Sequence, residues 1–303
     1  MPVRKLNAPL GASLIVLSSV FYASYGIWTR LMGNFFGGYT ASALRSILVL
    51  CILLPIAIAY KRLEPLNWRR NWRYLAGMIL ASLLVWGPLY YAILHAGIGI
   101  TSAVNYTGIV IGMFIFGWLL NKERFTKDKW ISCLLGIVGL FLIFTPSISH
   151  LGLLPLTAAA VSGLSIAGNN VIAKKINYKA AQATIFLWVT SVIANVFMAT
   201  AVAEPHPATS WHIQWLYLLI FALASVVASW TFIAGVKLID AGAAGILGLL
   251  EIVFGVLFGV MFFHERISGI VSLGIAIVIA AAAIPYVEDY NATRGTLEPS
   301  NAQ

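Results

Sequence analysis

Charge is scarce in this sequence. Asp, Glu, Lys and Arg make up 10% of its 303 residues, against about 25% in a soluble domain. With 60% hydrophobic residues and a mean hydropathy of +0.91, the chain has too little polar surface to cover a water-soluble body. A polytopic membrane protein is the class that fits. Cysteine is nearly missing: Cys51 and Cys133 both sit inside apolar runs, so no disulfide framework or thiolate metal site is visible, and they read as small hydrophobes. The five histidines fall at helix ends or loops, and His264-Glu265 lacks the second histidine of a zinc helix. Ser165, in SGLSIAG, only faintly resembles a hydrolase turn and has no base within its apolar run. An enzyme is therefore not expected. A channel filter or ring of charges is missing too. The net charge of +9 sits in short clusters between apolar runs, which is a topology signal and not a nucleic-acid footprint.

What is present is length without polarity. Crossing about 30 Å of hydrocarbon takes roughly 20 apolar residues at 1.5 Å rise each. Ten segments qualify, at 9–29, 39–60, 72–94, 99–121, 127–144, 152–173, 181–203, 214–237, 242–263 and 268–286. They are continuously apolar and do not alternate, which argues against strands. The first continues through Trp28, too long for a signal core despite Arg4 and Lys5, and is kept as a helix. With the N-terminus placed in the cytoplasm, sixteen Lys and Arg fall on the inner side and only Arg30 and Arg266 outside, with Arg45 embedded in the second segment. Both termini are thus expected to be cytoplasmic, in a bacterial inner membrane.

A repeat organises the segments. YYAILHAGIGITSAVNYTGIVIGMFIFGWLLNKER (Tyr90–Arg124) lies gaplessly over FIAGVKLIDAGAAGILGLLEIVFGVLFGVMFFHER (Phe232–Arg266), 142 residues on. Ala92, Gly117, Glu123 and Arg124 meet Ala234, Gly259, Glu265 and Arg266. Two five-helix units follow, 1–148 and 149–287, with a polar tail at 288–303. Five being odd, the second unit enters the membrane inverted, as in secondary transporters whose substrate lies between the halves. A duplicated scaffold without transport is the bland alternative.

An Arg early in the second helix before an apolar run (ALRSILVLCILLP), the 5+5 arrangement and the endings NKERFT and FFHERIS resemble the drug/metabolite transporter superfamily of the EamA type. Within it the chain is similar to bacterial aromatic amino-acid exporters. The resemblance implies an all-α carrier of ten helices, a central cavity, alternating access and no bound cofactor. The family often has Pro after the mid-helix Glu of helix nine, where this chain has Glu251-Ile252, so a kink there is in question.

Polar and aromatic residues at mid-membrane depth are the substrate-cavity candidates. They are Tyr22, Tyr25, Trp86, Tyr90, Asn105, Tyr106, Ser165, Asn169, Trp188 and Trp230, with Gly87-Pro88 as a hinge. An aromatic chamber with amide and phenol groups suits a zwitterion carrying an apolar or aromatic side chain. Lipid contact or core packing is the competing use of each. Trp68, Trp72, Trp130, Trp211 and Trp215 read as membrane-belt or loop residues. Arg45 and Glu251 are the two embedded charges, in gating or buried-charge roles. Glu251 shares a helical face with Ala244, Gly248, Gly255 and Gly259, a ridge that invites close backbone approach. It is a protonated packing residue, a partner of Arg45, or a proton-coupling site. The expected partners are a small-molecule substrate and the lipid bilayer, with no nucleic acid, the chain acting as a monomer. A phosphate-ester or nucleotide-sugar exchanger is the alternative substrate class, disfavoured by the single embedded cation.

Overall fold

The computed structural model describes residues 7–65, 68–147, 152–204 and 210–295, with backbone alone at 68, 70, 147 and 285–295. The basic residues Arg4 and Lys5, the side chain of Trp68, the centre of the join between the two units and the end of the polar tail lie outside this description. Among the described residues every regular element is helical. The twelve α-helices are α1 (Ala8–Ala23), α2 (Tyr25–Met32), α3 (Gly38–Ala59), α4 (Trp68–Ala96), α5 (Ile98–Asn121), α6 (Lys127–Phe144), α7 (Leu153–Lys175), α8 (Ala180–Ala201), α9 (Ile213–Val236), α10 (Ala241–Gly248), α11 (Leu250–Phe263) and α12 (Gly269–Gly295).

Eight rods are long and apolar enough to cross a membrane, counting α1–α2 and α10–α11 as one each. The other two are α6, which begins Lys127-Asp128-Lys129, and α12, whose apolar stretch Gly269–Ile284 is shorter. Hydrocarbon cannot hydrogen-bond a backbone, so a lipid-facing chain satisfies its N–H and C=O groups within helices.

Packing pairs the rods in a regular way. The first rod lies along α9 and along α10–α11; α7 lies along α4 and α5; α3 faces α8 and α6 faces α12. Helix contacts in lipid depend on close van der Waals fit rather than hydrophobic expulsion, and glycines sit at the tightest crossings. A Cβ on Gly163 of α7 would collide with the backbone carbonyl of Asn105 in α5. Gly139 of α6 and Gly274 of α12 each lie within 3 Å, Cβ position to carbonyl oxygen, of the other.

Two interruptions fall inside rods. At Ser24 the hydroxyl bonds back to the Phe21 carbonyl (2.6 Å) and accepts the Trp28 indole N–H (3.2 Å). At Leu249 the N–H groups of Leu249 and Ile252 reach back three residues, to Ile246 and Leu249 (both 3.0 Å), which tightens the turn. Helix nine is therefore interrupted two residues before Glu251 without a proline. By contrast α4 runs unbroken through Gly87-Pro88.

The ridge around Glu251 is packed at its ends, where Ala244 and Gly259 are buried, and looser in between. A Cβ on Gly255 would meet nothing within 4 Å, and one on Gly248 only the Phe232 ring at 3.7 Å. Open space thus lies beside Gly255, one turn from Glu251.

The α5 and α11 ends share one geometry. Lys122 (φ 57°) and His264 (φ 54°) both adopt the left-handed conformation. Glu123 N–H bonds to Gly117 O, and Glu265 N–H to Gly259 O, each at 3.2 Å. These are Schellman closures, 142 residues apart, at the register read from the sequence.

Candidate functional site

Arg45 lies seven residues into α3, about 10 Å along its axis. α3 faces α8 and α9, so the guanidinium is carried inward and only 5% of the residue is exposed. Four rings surround it: Phe221 at 4.4 Å, Tyr25 at 5.0 Å, Trp188 at 5.5 Å and Trp86 at 5.9 Å from the guanidinium carbon. These come from α9, α2, α8 and α4, so both halves of the chain contribute. The Arg45 Nε is buried without a hydrogen bond, and among the described residues no carboxylate pairs with the side chain.

The second embedded charge is held differently. Tyr106 Oη donates to Glu251 Oε1 at 2.7 Å, joining α5 to α11. A chain of rings connects the two charges: Tyr25 contacts Phe221 (4.6 Å) and Tyr22 (5.2 Å), and Tyr22 contacts Phe232 (6.3 Å). Both Arg45 and Glu251 lie within electrostatic range of Tyr22 and of Tyr25. Tyr22, Tyr25, Trp86, Tyr106 and Glu251 all keep part of their surface exposed.

Other candidates are engaged elsewhere. Asn105 donates to the Ala159 carbonyl (3.2 Å) in the tight α5–α7 contact. Asn169 donates to Ser82 (3.2 Å), which bonds Thr190 (2.7 Å), tying α7, α4 and α8 together. Ser165 bonds back to Val161 O within its own helix (2.7 Å). Trp188 is both a cage wall and a tie, its indole N–H bonding Ser229 at 2.9 Å. Trp230 packs against the cluster around Val49 and Leu53. Tyr90 meets Tyr39 in a tilted ring contact (5.0 Å) at the start of α3, more than a third exposed and away from the cage. Trp72, Trp130 and Trp211 are exposed at the rod ends.

Sequence reasoning missed Phe221 and Phe232, which look like any apolar residue in a long run. It also missed what the paired Glu-Arg endings do. Glu123 Oε2 accepts the N–H of Ala241 at 2.7 Å, capping the first turn of α10, and Oε1 pairs with Lys174 at 2.6 Å. Lys174 also donates to the Ile239 carbonyl (2.5 Å), and beside it Lys129 pairs with Asp240 at 2.7 Å. These side chains are largely buried, so this pole is tied together by buried ion pairs. At the other pole Glu265 pairs with Arg30 at 2.5 Å, both about half exposed, and Arg30 lies over Phe263. Among the described residues no side chain caps the start of α5 there, and Ile98 is 70% exposed. On the same side Glu204 caps α3, accepting from Tyr39 N (3.0 Å), Thr40 N (2.7 Å) and the Thr40 hydroxyl (2.8 Å).

Comparison with known proteins gives consistent relatives. Residues 9–145 and again 153–286 match the EamA-like transporter family. An uncharacterized transporter of Bacillus subtilis (strain 168), YwfM, is 27% identical over 238 residues, covering 75% of this chain and 77% of its own. An uncharacterized transporter of Helicobacter pylori (strain J99) is 20% identical over 280 residues, 90% and 93% of the two chains. One protein crystal structure superposes with a TM-score of 0.73 at 16% identity, over 90% of this chain and 96% of the other, and so shares the fold.

Proposed function

We propose a substrate class and a mechanism from one premise: the chain belongs to the EamA-like transporter family. It exports small amphipathic metabolites, chiefly aromatic and neutral apolar amino acids, across the bacterial inner membrane. The observation that carries the reading is the ring-walled interior: Tyr22, Tyr25, Trp86, Trp188, Phe221 and Phe232 converge from both halves. Stacked and edge-on ring contacts favour a flat or bulky apolar side chain, and Tyr106 with Glu251 adds a polar pair suited to an ammonium group.

Read as ten spans in two inverted units with cytoplasmic termini, the chain works by alternating access. In this reading the Glu123 pole is the cytoplasmic one, following the Lys and Arg bias. It is shut by the Glu123–Ala241 cap, while Glu265, its counterpart, leaves α5 uncapped. The reverse state exchanges the two caps: Glu265 accepts the first N–H groups of α5 and Glu123 releases α10. In this reading the rods hinge at the interruptions at Ser24 and Leu249, and α4, unbroken here, hinges at Gly87-Pro88.

Purified protein in liposomes tests this by counterflow of L-phenylalanine, L-tryptophan, L-leucine and a sugar phosphate, with and without a pH gradient. Saturable exchange of the amino acids and none of the sugar phosphate is expected. Exchange of the sugar phosphate alone, or of nothing, overturns the substrate assignment.

A further inference from the structure

We infer that Arg45 is the docking point for the carboxylate of the transported molecule. The inference rests on the reading that this chamber carries the substrate, and adds the group it recognises and the residue that recognises it.

The argument starts from charge. A guanidinium stays protonated at any physiological pH, and one held inside a bilayer needs an anion, water or protein dipoles around it. Acids elsewhere among the described residues are committed to other partners. Glu251 bonds Tyr106, Glu204 caps α3, and Glu123, Asp240 and Glu265 pair with Lys174, Lys129 and Arg30. Snorkelling to headgroups is not how the side chain is placed, because rings of α2, α4, α8 and α9 surround it.

Geometry then says which part of Arg45 is free to act. Rings attract a planar guanidinium through its charge, but accept no hydrogen bonds in its plane. The Nε is unpartnered, and no hydrogen bond from the terminal nitrogens is formed among the described residues. A buried donor left unmade is destabilising, so a ligand that fills it gains what the empty site lacks. The in-plane N–H edge of arginine matches a carboxylate in a two-bond fork. The walls that flank this edge are aromatic, so the body attached to that carboxylate is apolar. The class is a small monocarboxylate with an apolar or aromatic body, whether or not it carries an ammonium group.

The test uses full-length protein in nanodiscs and four probes: L-phenylalanine, 3-phenylpropionate, L-phenylalaninamide and 2-phenylethylamine. Calorimetry measures affinity, and peptide mass spectrometry follows phenylglyoxal modification of Arg45. Both carboxylates are expected to bind and slow modification, with the amide and amine about thirtyfold weaker or worse. Arg45→Lys should weaken the carboxylates, and Arg45→Gln should weaken them more, narrowing their advantage over the amide. Equal affinity of wild type for L-phenylalanine and its amide, or no protection by any probe, overturns the inference. So does a folded Arg45→Gln with unchanged KM. If neither variant folds, the wild-type probe comparison decides. Binding of 3-phenylpropionate without transport of any amino acid would leave Arg45 as the anchor and remove the amino-acid assignment. Amino-acid transport indifferent to the carboxylate would do the reverse.

Discussion

At the scale of single residues, the two glycine environments make opposite predictions. Gly163→Ala places a methyl against the Asn105 carbonyl, backbone on backbone, so α5 and α7 must separate. It should destabilise the protein by about 1–3 kcal/mol or prevent folding. Gly255→Ala meets open space in a helix interior, where Ala is favoured over Gly by about 1 kcal/mol. Its melting temperature should hold or rise, while transport falls if the methyl narrows the open space one turn from Glu251. Melting curves in detergent, read beside liposome exchange, check both. The Tyr106–Glu251 bond gives a third test. Tyr106→Phe removes the donor and should cost about 1–2 kcal/mol, whereas Glu251→Gln keeps an acceptor and should melt close to wild type. If Glu251 carries a coupling proton, Glu251→Gln also makes transport indifferent to a pH gradient. Arg45 and Glu251 were legible in the sequence because charge stands out in an apolar run. Their partners were not: Phe221 differs from its neighbours only in which way the helix turns it. Asn105 and Asn169 show the converse, since polarity marked them while packing directed them to Ala159 and Ser82.

At the scale of elements, hydropathy located the rods well, because the bilayer sets their length and the backbone has no other way to satisfy itself there. Where the rods break was not legible. Leu249 is an ordinary helix former, and nothing in its residue type marks the three-residue hydrogen bonds formed there. The caps were half legible: the repeated Glu-Arg was visible, the α10 N-terminus it serves was not. The Glu123 cap predicts a measurable opening. With Cys51 and Cys133 replaced, Ile98→Cys should react readily with a maleimide and Ala243→Cys, 2% exposed, should not. Adding Glu123→Ala should raise labelling of Ala243→Cys several-fold by releasing the α10 start. Unchanged labelling would mean that the carboxylate does not hold that pole shut.

At the scale of the whole molecule, the contacts of α1 with α9 and of α7 with α4 each join one half of the chain to the other, and the two pair corresponding helices of the halves. Orientation is testable without any substrate. In intact cells Trp211→Cys, 77% exposed on the loop before α9, should react with a membrane-impermeant maleimide, and Lys175→Cys should react only after lysis. The opposite pattern would invert the topology.

The ring cage around Arg45 also bears on how the protein is made. Trp188 and Phe221 are translated more than 140 residues after the charge they shelter. When α3 leaves the ribosome it must therefore enter the bilayer with its arginine uncovered, a penalty of about 2.5–3.5 kcal/mol near a helix centre. Its own run from Ile47 to Ile58, in a span of mean hydropathy 2.3, is what offsets that penalty. Insertion of α3 is the vulnerable moment of biogenesis. Leu54→Ser, on its exposed face and far from any substrate, should lower membrane yield, and Arg45→Leu should restore it while abolishing carboxylate recognition.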